Sequence, residues 1–85
     1  MGFRGQPLPE ELYFLCMLHN IGATSSEKSL TLEEISRRIA MEPQKVVENL
    51  EKLIRSNYVD VNRNDNIEKY HVSTRGIVKV LSMYS

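Results

Sequence analysis

The sequence has 85 residues, of which 41% are hydrophobic and 26% are charged, and its 11 basic and 11 acidic side chains leave no net charge. This length allows one domain with one modest core, and the ordinary composition excludes a wholly disordered chain. The longest apolar run, residues 12–18, is too short to cross a bilayer and lacks the basic flank of a secretory signal, so no membrane partner is expected. Cys16 is the only cysteine, and we expect it to be a buried core residue of a cytoplasmic protein.

The first predicted helix follows a lead-in, residues 1–8, that contains glycine and proline. Pro9 is tolerated at a helix start, and the acids Glu10 and Glu11 suit the positive end of the helix dipole. The helix is expected to end near Asn20. It is apolar on nearly all sides, so it needs a cover on two faces. The second of these faces, which needs a partner of its own, consists of Phe14, Met17, Leu18 and Ile21.

Two further helices are predicted within residues 31–57. Thr31 and Glu34 match a capping box, in which each side chain serves the backbone amide of the other residue. This motif begins a second helix over residues 32–40, with apolar residues at helical spacing. After a very short turn, Pro43 begins a third helix at its favoured first position, and this helix carries a regular apolar stripe.

The remaining residues predict a hairpin followed by a last helix. Residues 58–73 contain two β-rich runs around a polar tip at residues 63–66, as in a β-hairpin. Ser73 is suited to cap a helix over residues 74–85. The apolar stripe of that helix consists of Ile77, Val80, Leu81 and Tyr84. The predicted fold class is therefore mostly α with a small β-hairpin (α+β), in the order helix-helix-helix-hairpin-helix.

Four segments in this order carry a family resemblance. LTLEEISRRIA (residues 30–40) and EPQKVVENLEKL (residues 42–53) resemble the second and third helices of the winged helix-turn-helix family, especially the MarR-like and related archaeal and bacterial transcription regulators. Tyr58-Val59 is similar to the step into that family's wing, and YHVSTRG (residues 70–76) is similar to the segment that leaves it. The resemblance implies a single winged-helix domain over residues 1–85, with the hairpin as its wing.

The same resemblance implies sequence-specific binding of duplex DNA by a small transcription regulator that needs no cofactor. The third helix would enter the major groove and the wing would lie on the backbone. The positions that would contact base edges are Gln44, Lys45, Glu48 and Asn49. The positions that would contact the DNA backbone are Arg37, Arg38, Lys52, Arg55, Arg63, Asn64, Lys69 and Arg75.

The charge balance keeps a second function class open. DNA-binding domains usually carry a basic excess, whereas residues 31–57 contain as many acidic as basic side chains. The alternative is a winged-helix module that binds another protein of the transcription machinery. That alternative is favoured if the glutamates of the third helix share a surface with Lys45 and Lys52. Segregation of the basic residues with the wing favours DNA.

Catalysis and metal binding receive little support from the sequence. Cys16 and His19 are the only thiol and imidazole at close spacing, and a packed histidine is the simpler interpretation. The carboxylates of the wing are expected on the exposed face of a hairpin, without a nucleophile or a phosphate-binding loop. We therefore predict that the chain is not an enzyme and holds no metal.

The terminal helices allow two arrangements. The first and last helices can pair within one chain, or they can form a homodimer about a two-fold axis. A dimer of this kind would place two third helices roughly 34 Å apart, one turn of DNA, on the same side of a duplex. We predict the homodimer, and a monomer whose two terminal helices pair with each other is the alternative.

Overall fold

The computed structural model describes residues 8–84, so the predicted lead-in lies outside the described residues except for its last position. Residues 8–84 form four helices and a three-stranded antiparallel sheet, and no helix among them is long and apolar enough to cross a membrane. The elements are α1 (Glu10–Asn20), a 3-10 turn (Ser26–Lys28), β1 (Leu30–Thr31), α2 (Leu32–Ile39), α3 (Pro43–Arg55), β2 (Val59–Asn64), β3 (Ile67–Val72) and α4 (Thr74–Met83). The predicted order and fold class are confirmed.

Helix α1 lies at the centre of the molecule. Pro9 precedes its first residue, two acids occupy the first turn, and Gly22 with φ of 92° follows its end. Phe14, Leu15 and Leu18 are completely buried, because α1 packs on α3, α4 and β3. The second apolar face predicted for this helix is therefore covered within the chain, and Phe14 and Leu18 cannot contact another protomer.

The capping box predicted at the start of α2 is present. The Thr31 hydroxyl accepts a hydrogen bond from the Glu34 amide at 3.2 Å, and the Thr31 amide donates to the Glu34 carboxylate at 2.9 Å. The backbone hydrogen bond from Thr31 lowers the pKa of Glu34. The helix ends at Ile39, one residue earlier than predicted, because Ala40 adopts the left-handed conformation with φ of 61°. Pro43 then begins α3, as expected.

The wing is a hairpin of β2 and β3 with Val59 opposite Val72 and Asn64 opposite Ile67. Its turn has only two residues, both at positive φ, as in the type I′ turns that match strand twist. The prediction of a longer tip at residues 63–66 was wrong, since Arg63 and Asn64 belong to β2. A further strand, β1, pairs with β3 and was not predicted because two residues are too short to show alternation.

Helix α4 closes the domain against α1. The Ser73 hydroxyl accepts a hydrogen bond from the Gly76 amide at 3.0 Å and caps the helix, as predicted. Val80 is completely buried, whereas Val78 and Leu81 are 61% and 58% exposed. Of the two arrangements open for the terminal helices, pairing within one chain is thus present, and it leaves part of the α4 stripe uncovered.

Candidate nucleic-acid interface

The end of α2 and the start of α3 are joined by a short turn at residues 40–42. We call this region, which includes Arg37, Arg38 and Gln44, the elbow. The Ser36 hydroxyl donates a hydrogen bond to the Met41 carbonyl, and the Met41 amide donates to the Ser36 carbonyl at 3.1 Å, so the turn is fixed by two bonds. Arg37 and Arg38 are exposed in the last turn of α2. Gln44 is exposed in the first turn of α3. The elbow therefore combines two guanidinium groups and an amide at one end of α3.

The two arginines of the elbow form no ion pair within residues 8–84. Glu33 and Glu34 lie four residues before Arg37 and Arg38 on α2, yet no ion pair joins them within the described residues, and for Arg38 a cause is visible. The carboxylate of Glu34 is engaged by the backbone of Thr31 in the capping box. Both guanidinium groups are consequently available to an external anion.

The outward face of α3 carries mixed charge. Val46, Leu50 and Leu53 are buried, and the opposite side of the helix is exposed. The residues that recur at helical spacing along this exposed side are Gln44, Glu48, Glu51 and Arg55. At 1.5 Å per residue, Gln44 and Arg55 are about 16 Å apart along the helix. The exposed side of α3 therefore presents the Gln44 amide at one end, the Arg55 guanidinium at the other, and two carboxylates between them.

The flank of α3 that adjoins α1 holds both lysines of the helix in ion pairs. The Lys45 ammonium is 3.3 Å from a Glu10 carboxylate oxygen, and the Lys52 ammonium is 3.9 Å from that of Glu11. The side chains of Lys45 and Glu10 are 53% and 50% exposed. Hydrogen bonds from Asn49 and from Lys45 lower the pKa of Glu10, so its carboxylate is ionised over the physiological range.

Asn49 was predicted to contact base edges, and the structure contradicts this. The residue is only 2% exposed. Its amide nitrogen donates hydrogen bonds to Glu10 at 3.2 Å and to the Lys45 carbonyl at 3.1 Å. Because its polar group is satisfied inside the chain, Asn49 positions α1 against α3 and leaves the candidate base-contacting set. Periodicity alone did not separate it from its exposed neighbour Glu48.

The predicted backbone contacts of the wing are divided between its two faces. Arg63 lies opposite Glu68 and donates a hydrogen bond to its carboxylate, which also accepts one from the Tyr70 hydroxyl at 3.0 Å. Hydrogen bonds from Arg63 and from Tyr70 lower the pKa of Glu68. Asn64 and Lys69 instead line a cleft on the other face, beside the 3-10 turn.

A cleft of about 380 Å³ separates α3 from the wing. Its apolar lining includes the partly exposed side chains of Val47 and Val61, and Glu51 lies at its edge. The guanidinium of Arg63 in this cleft is already paired with Glu68. This part of the surface offers apolar area and carboxylates, without a free cation among the described residues that line it.

Other candidate positions lie apart from the elbow. Arg55 is exposed at the end of α3, and Arg75 is exposed in the first turn of α4. Cys16 is buried, as predicted. No group of three or more metal-ligating side chains occurs within residues 8–84.

Glu10 and Glu11 are the functional candidates that sequence reasoning missed. Both were interpreted only as acids suited to a helix start. Their partners are 35 or more residues away along the chain, so the local sequence spacing does not predict these ion pairs. The Arg63–Glu68 pair, by contrast, follows from the register of a two-residue turn at Asp65-Asn66, once that turn is recognised.

Comparison with solved structures identifies the fold. A DNA-binding fragment of TubR from Clostridium botulinum is 20% identical, with a TM-score of 0.75 over 92% of this chain and 99% of that chain. A mutant of MarR from E. coli complexed with operator DNA is 14% identical, with a TM-score of 0.71 over 92% of this chain. Streptococcus pneumoniae FabT in complex with DNA is 17% identical, with a TM-score of 0.67 over 94% of this chain. The chain therefore has the winged helix-turn-helix fold.

The extent of these matches differs. This chain spans 54% of the MarR chain and 57% of the FabT chain, so it corresponds to about half of each. No protein-family model and no curated protein sequence matches it.

Proposed function

We propose that this protein binds duplex DNA in a sequence-dependent manner as a small, non-catalytic transcription regulator of the cytoplasm. The observation that carries the proposal is the elbow, where Arg37 and Arg38 are exposed beside the start of α3 and have no ion-pair partner among residues 8–84. MarR and FabT, which share this fold, were each solved with DNA. The fold supplies a helix of suitable size for the major groove, and the elbow supplies phosphate contacts that would fix its register.

Base contacts in this proposal come from the first turns of α3. Gln44 can form two hydrogen bonds with adenine, and Glu48 can accept a hydrogen bond from the cytosine amino group. Lys45 can donate to guanine or to phosphate once it exchanges its partner Glu10. Such an exchange costs little, because an exposed ion pair stabilises a protein by only about 0–1 kcal/mol.

The modest number of available cations determines how the binding should depend on salt. Each phosphate neutralised on B-DNA contributes about −0.9 to the slope of log affinity against log salt concentration. With Arg37 and Arg38 as the principal contacts, non-specific binding is expected to be weak and its slope shallow. Affinity for a particular site then depends on the base contacts of α3 more than on phosphate attraction.

Fluorescence anisotropy with a random-sequence duplex at several salt concentrations tests this proposal. We expect binding at low salt, and we expect Arg37→Ala/Arg38→Ala to make the salt slope shallower by about 2. The matched control is Lys28→Ala/Lys79→Ala, which removes the same charge from the 3-10 turn and from α4. Equal losses in both double variants would contradict the role assigned to the elbow.

Recognition of a protein is the second candidate function, and two observations favour it. The outward side of α3 carries Glu48 and Glu51, and the neighbouring cleft is apolar, with no free cation in its described lining. The basic residues also do not segregate with the wing. If no duplex binds even at low salt, this second function replaces the first.

We also infer a homodimer formed through α4. Val78 and Leu81, one turn apart on α4, are large apolar side chains that the domain leaves exposed. A two-fold contact at this surface would bury both side chains in each protomer. The buried members of the predicted set, Phe14, Leu18 and Val80, take no part in it.

A further inference from the structure

The strongest feature that the proposed function leaves unused is the contact between the first turn of α1 and the flank of α3. Both lysines of α3 are paired there, Lys45 with Glu10 and Lys52 with Glu11. The two lysines are seven residues apart, hence two turns apart on one side of the helix. Two consecutive acids therefore engage the two cations that face them.

The Glu10 carboxylate is held in place by more than its attraction to Lys45. One oxygen accepts from Lys45 at 3.3 Å, and the other accepts from the buried amide of Asn49 at 3.2 Å. Asn49 also donates to the Lys45 carbonyl one turn earlier, which fixes the amide itself. A carboxylate anchored in this way holds one anionic oxygen against the lysine, as a DNA phosphate would.

We infer that Glu10 and Glu11 compete within the chain with DNA phosphates for Lys45 and Lys52, and so attenuate non-specific DNA binding. The inference rests on the proposed function. In the free protein both lysines already have a carboxylate partner. The binding free energy that a phosphate contributes is therefore only the difference between its interaction with the lysine and that of the glutamate it displaces. Contacts to base edges are not opposed in this way, because Gln44 lies on the outward side of α3, where no carboxylate of the described residues binds it.

Glu10→Gln is the variant that isolates this competition. Glutamine keeps a side-chain oxygen that can accept from Asn49, so the packing of α1 on α3 is retained, and only the charge opposite Lys45 is removed. We expect random-sequence duplex to bind about two- to five-fold more tightly at low salt, the range that corresponds to an exposed ion pair. Glu10→Gln/Glu11→Gln should increase the gain further.

A general change in net charge would also strengthen DNA binding, and two controls separate the explanations. Glu27→Gln removes one negative charge from the 3-10 turn, where the carboxylate forms no ion pair within the described residues. Lys45→Ala removes the cation that Glu10 neutralises. In the Lys45→Ala background, the gain from Glu10→Gln should fall to that of Glu27→Gln, because the lysine that Glu10 chiefly engages is absent.

The possible outcomes bear on different statements. A gain in Glu10→Gln that exceeds the gain in Glu27→Gln, and that falls to it in the Lys45→Ala background, supports the inference. An equal gain in Glu27→Gln, or an undiminished gain without Lys45, overturns the inference and leaves DNA binding intact. Failure of the wild-type protein and every variant to bind duplex at low salt overturns the proposed function itself. Circular dichroism of each variant verifies that the helices are retained.

Discussion

At the scale of single residues, Gly76 illustrates how close packing overrides local preference. A Cβ atom at this position would lie 2.2 Å from the Tyr58 carbonyl oxygen and 2.7 Å from a methyl carbon of Val72. The Tyr58 carbonyl cannot move freely, because it accepts a hydrogen bond from the Ser73 amide at 2.9 Å. Only glycine therefore allows α4 to approach the start of the wing this closely.

Gly76→Ala should destabilise the protein, although alanine is the better helix former. The gain in helix propensity is about 1 kcal/mol, whereas overpacking a tight site typically costs about 1–3 kcal/mol and more against backbone. We expect a net loss of about 1–2 kcal/mol in the free energy of unfolding measured with urea. Gly22→Ala is the comparison, since that site has open space and only its φ of 92° opposes a side chain. A stability at or above wild type in Gly76→Ala would contradict the packing argument.

At the scale of elements, the turn between α2 and α3 contains a backbone conformation that its residue does not favour. Ala40 has φ of 61° and ψ of 49°, and it is exposed, so its methyl group gains no packing in return. The left-handed region costs a non-glycine residue about 1–2 kcal/mol. Glycine is the usual residue at this position after a helix.

Ala40→Gly should consequently stabilise the protein, against the usual effect of introducing glycine. Relief of the left-handed strain exceeds the added entropy of the unfolded chain, so we expect a gain of about 0.5–1 kcal/mol in the free energy of unfolding. Urea denaturation measures it. Glu51→Gly, inside α3, should instead lose about 0.5–1 kcal/mol. A destabilised Ala40→Gly protein would show that strain at the turn is smaller than its φ indicates.

The helices were predictable from sequence because their ends carry local chemical signals. The capping box of Thr31 and Glu34 and the Pro43 start each act within one turn of backbone. The site was predicted less well, because its geometry depends on distant contacts. Asn49 is buried by α1, and Lys45 is paired with Glu10, 35 residues earlier. Neither relation leaves a trace in the local spacing.

At the scale of the whole molecule, the chain has no net charge, and several of its opposite charges are paired with each other. The cations of α3 and of the wing are largely matched by carboxylates of the same chain, as with Lys45 and Glu10 or Arg63 and Glu68. The elbow arginines, Arg37 and Arg38, lie outside this matching. A neutral chain of this kind gains little from long-range attraction to DNA. Presenting the α3 helices of two protomers together would therefore increase its affinity more than additional charge on a single protomer.

The dimer that we infer through α4 would bring the α3 helix of a second protomer to the DNA. The exposed apolar surface of α4 that would form this dimer can be tested directly. Val78→Glu/Leu81→Glu replaces the two exposed apolar side chains of α4 with charged ones, which a dimer contact would bury unpaired, so the dimer should dissociate. We expect sedimentation velocity to give a dimer for wild type and a monomer for this variant. Ser56→Glu, an added acid on an exposed residue at the end of α3, should remain dimeric.

The monomeric variant should keep its helix content and bind a two-half-site duplex at least ten-fold more weakly, since paired binding raises affinity by about 10²–10⁴. A monomeric wild type at every concentration would refute the dimer, and the exposed α4 stripe would then favour a different protein partner.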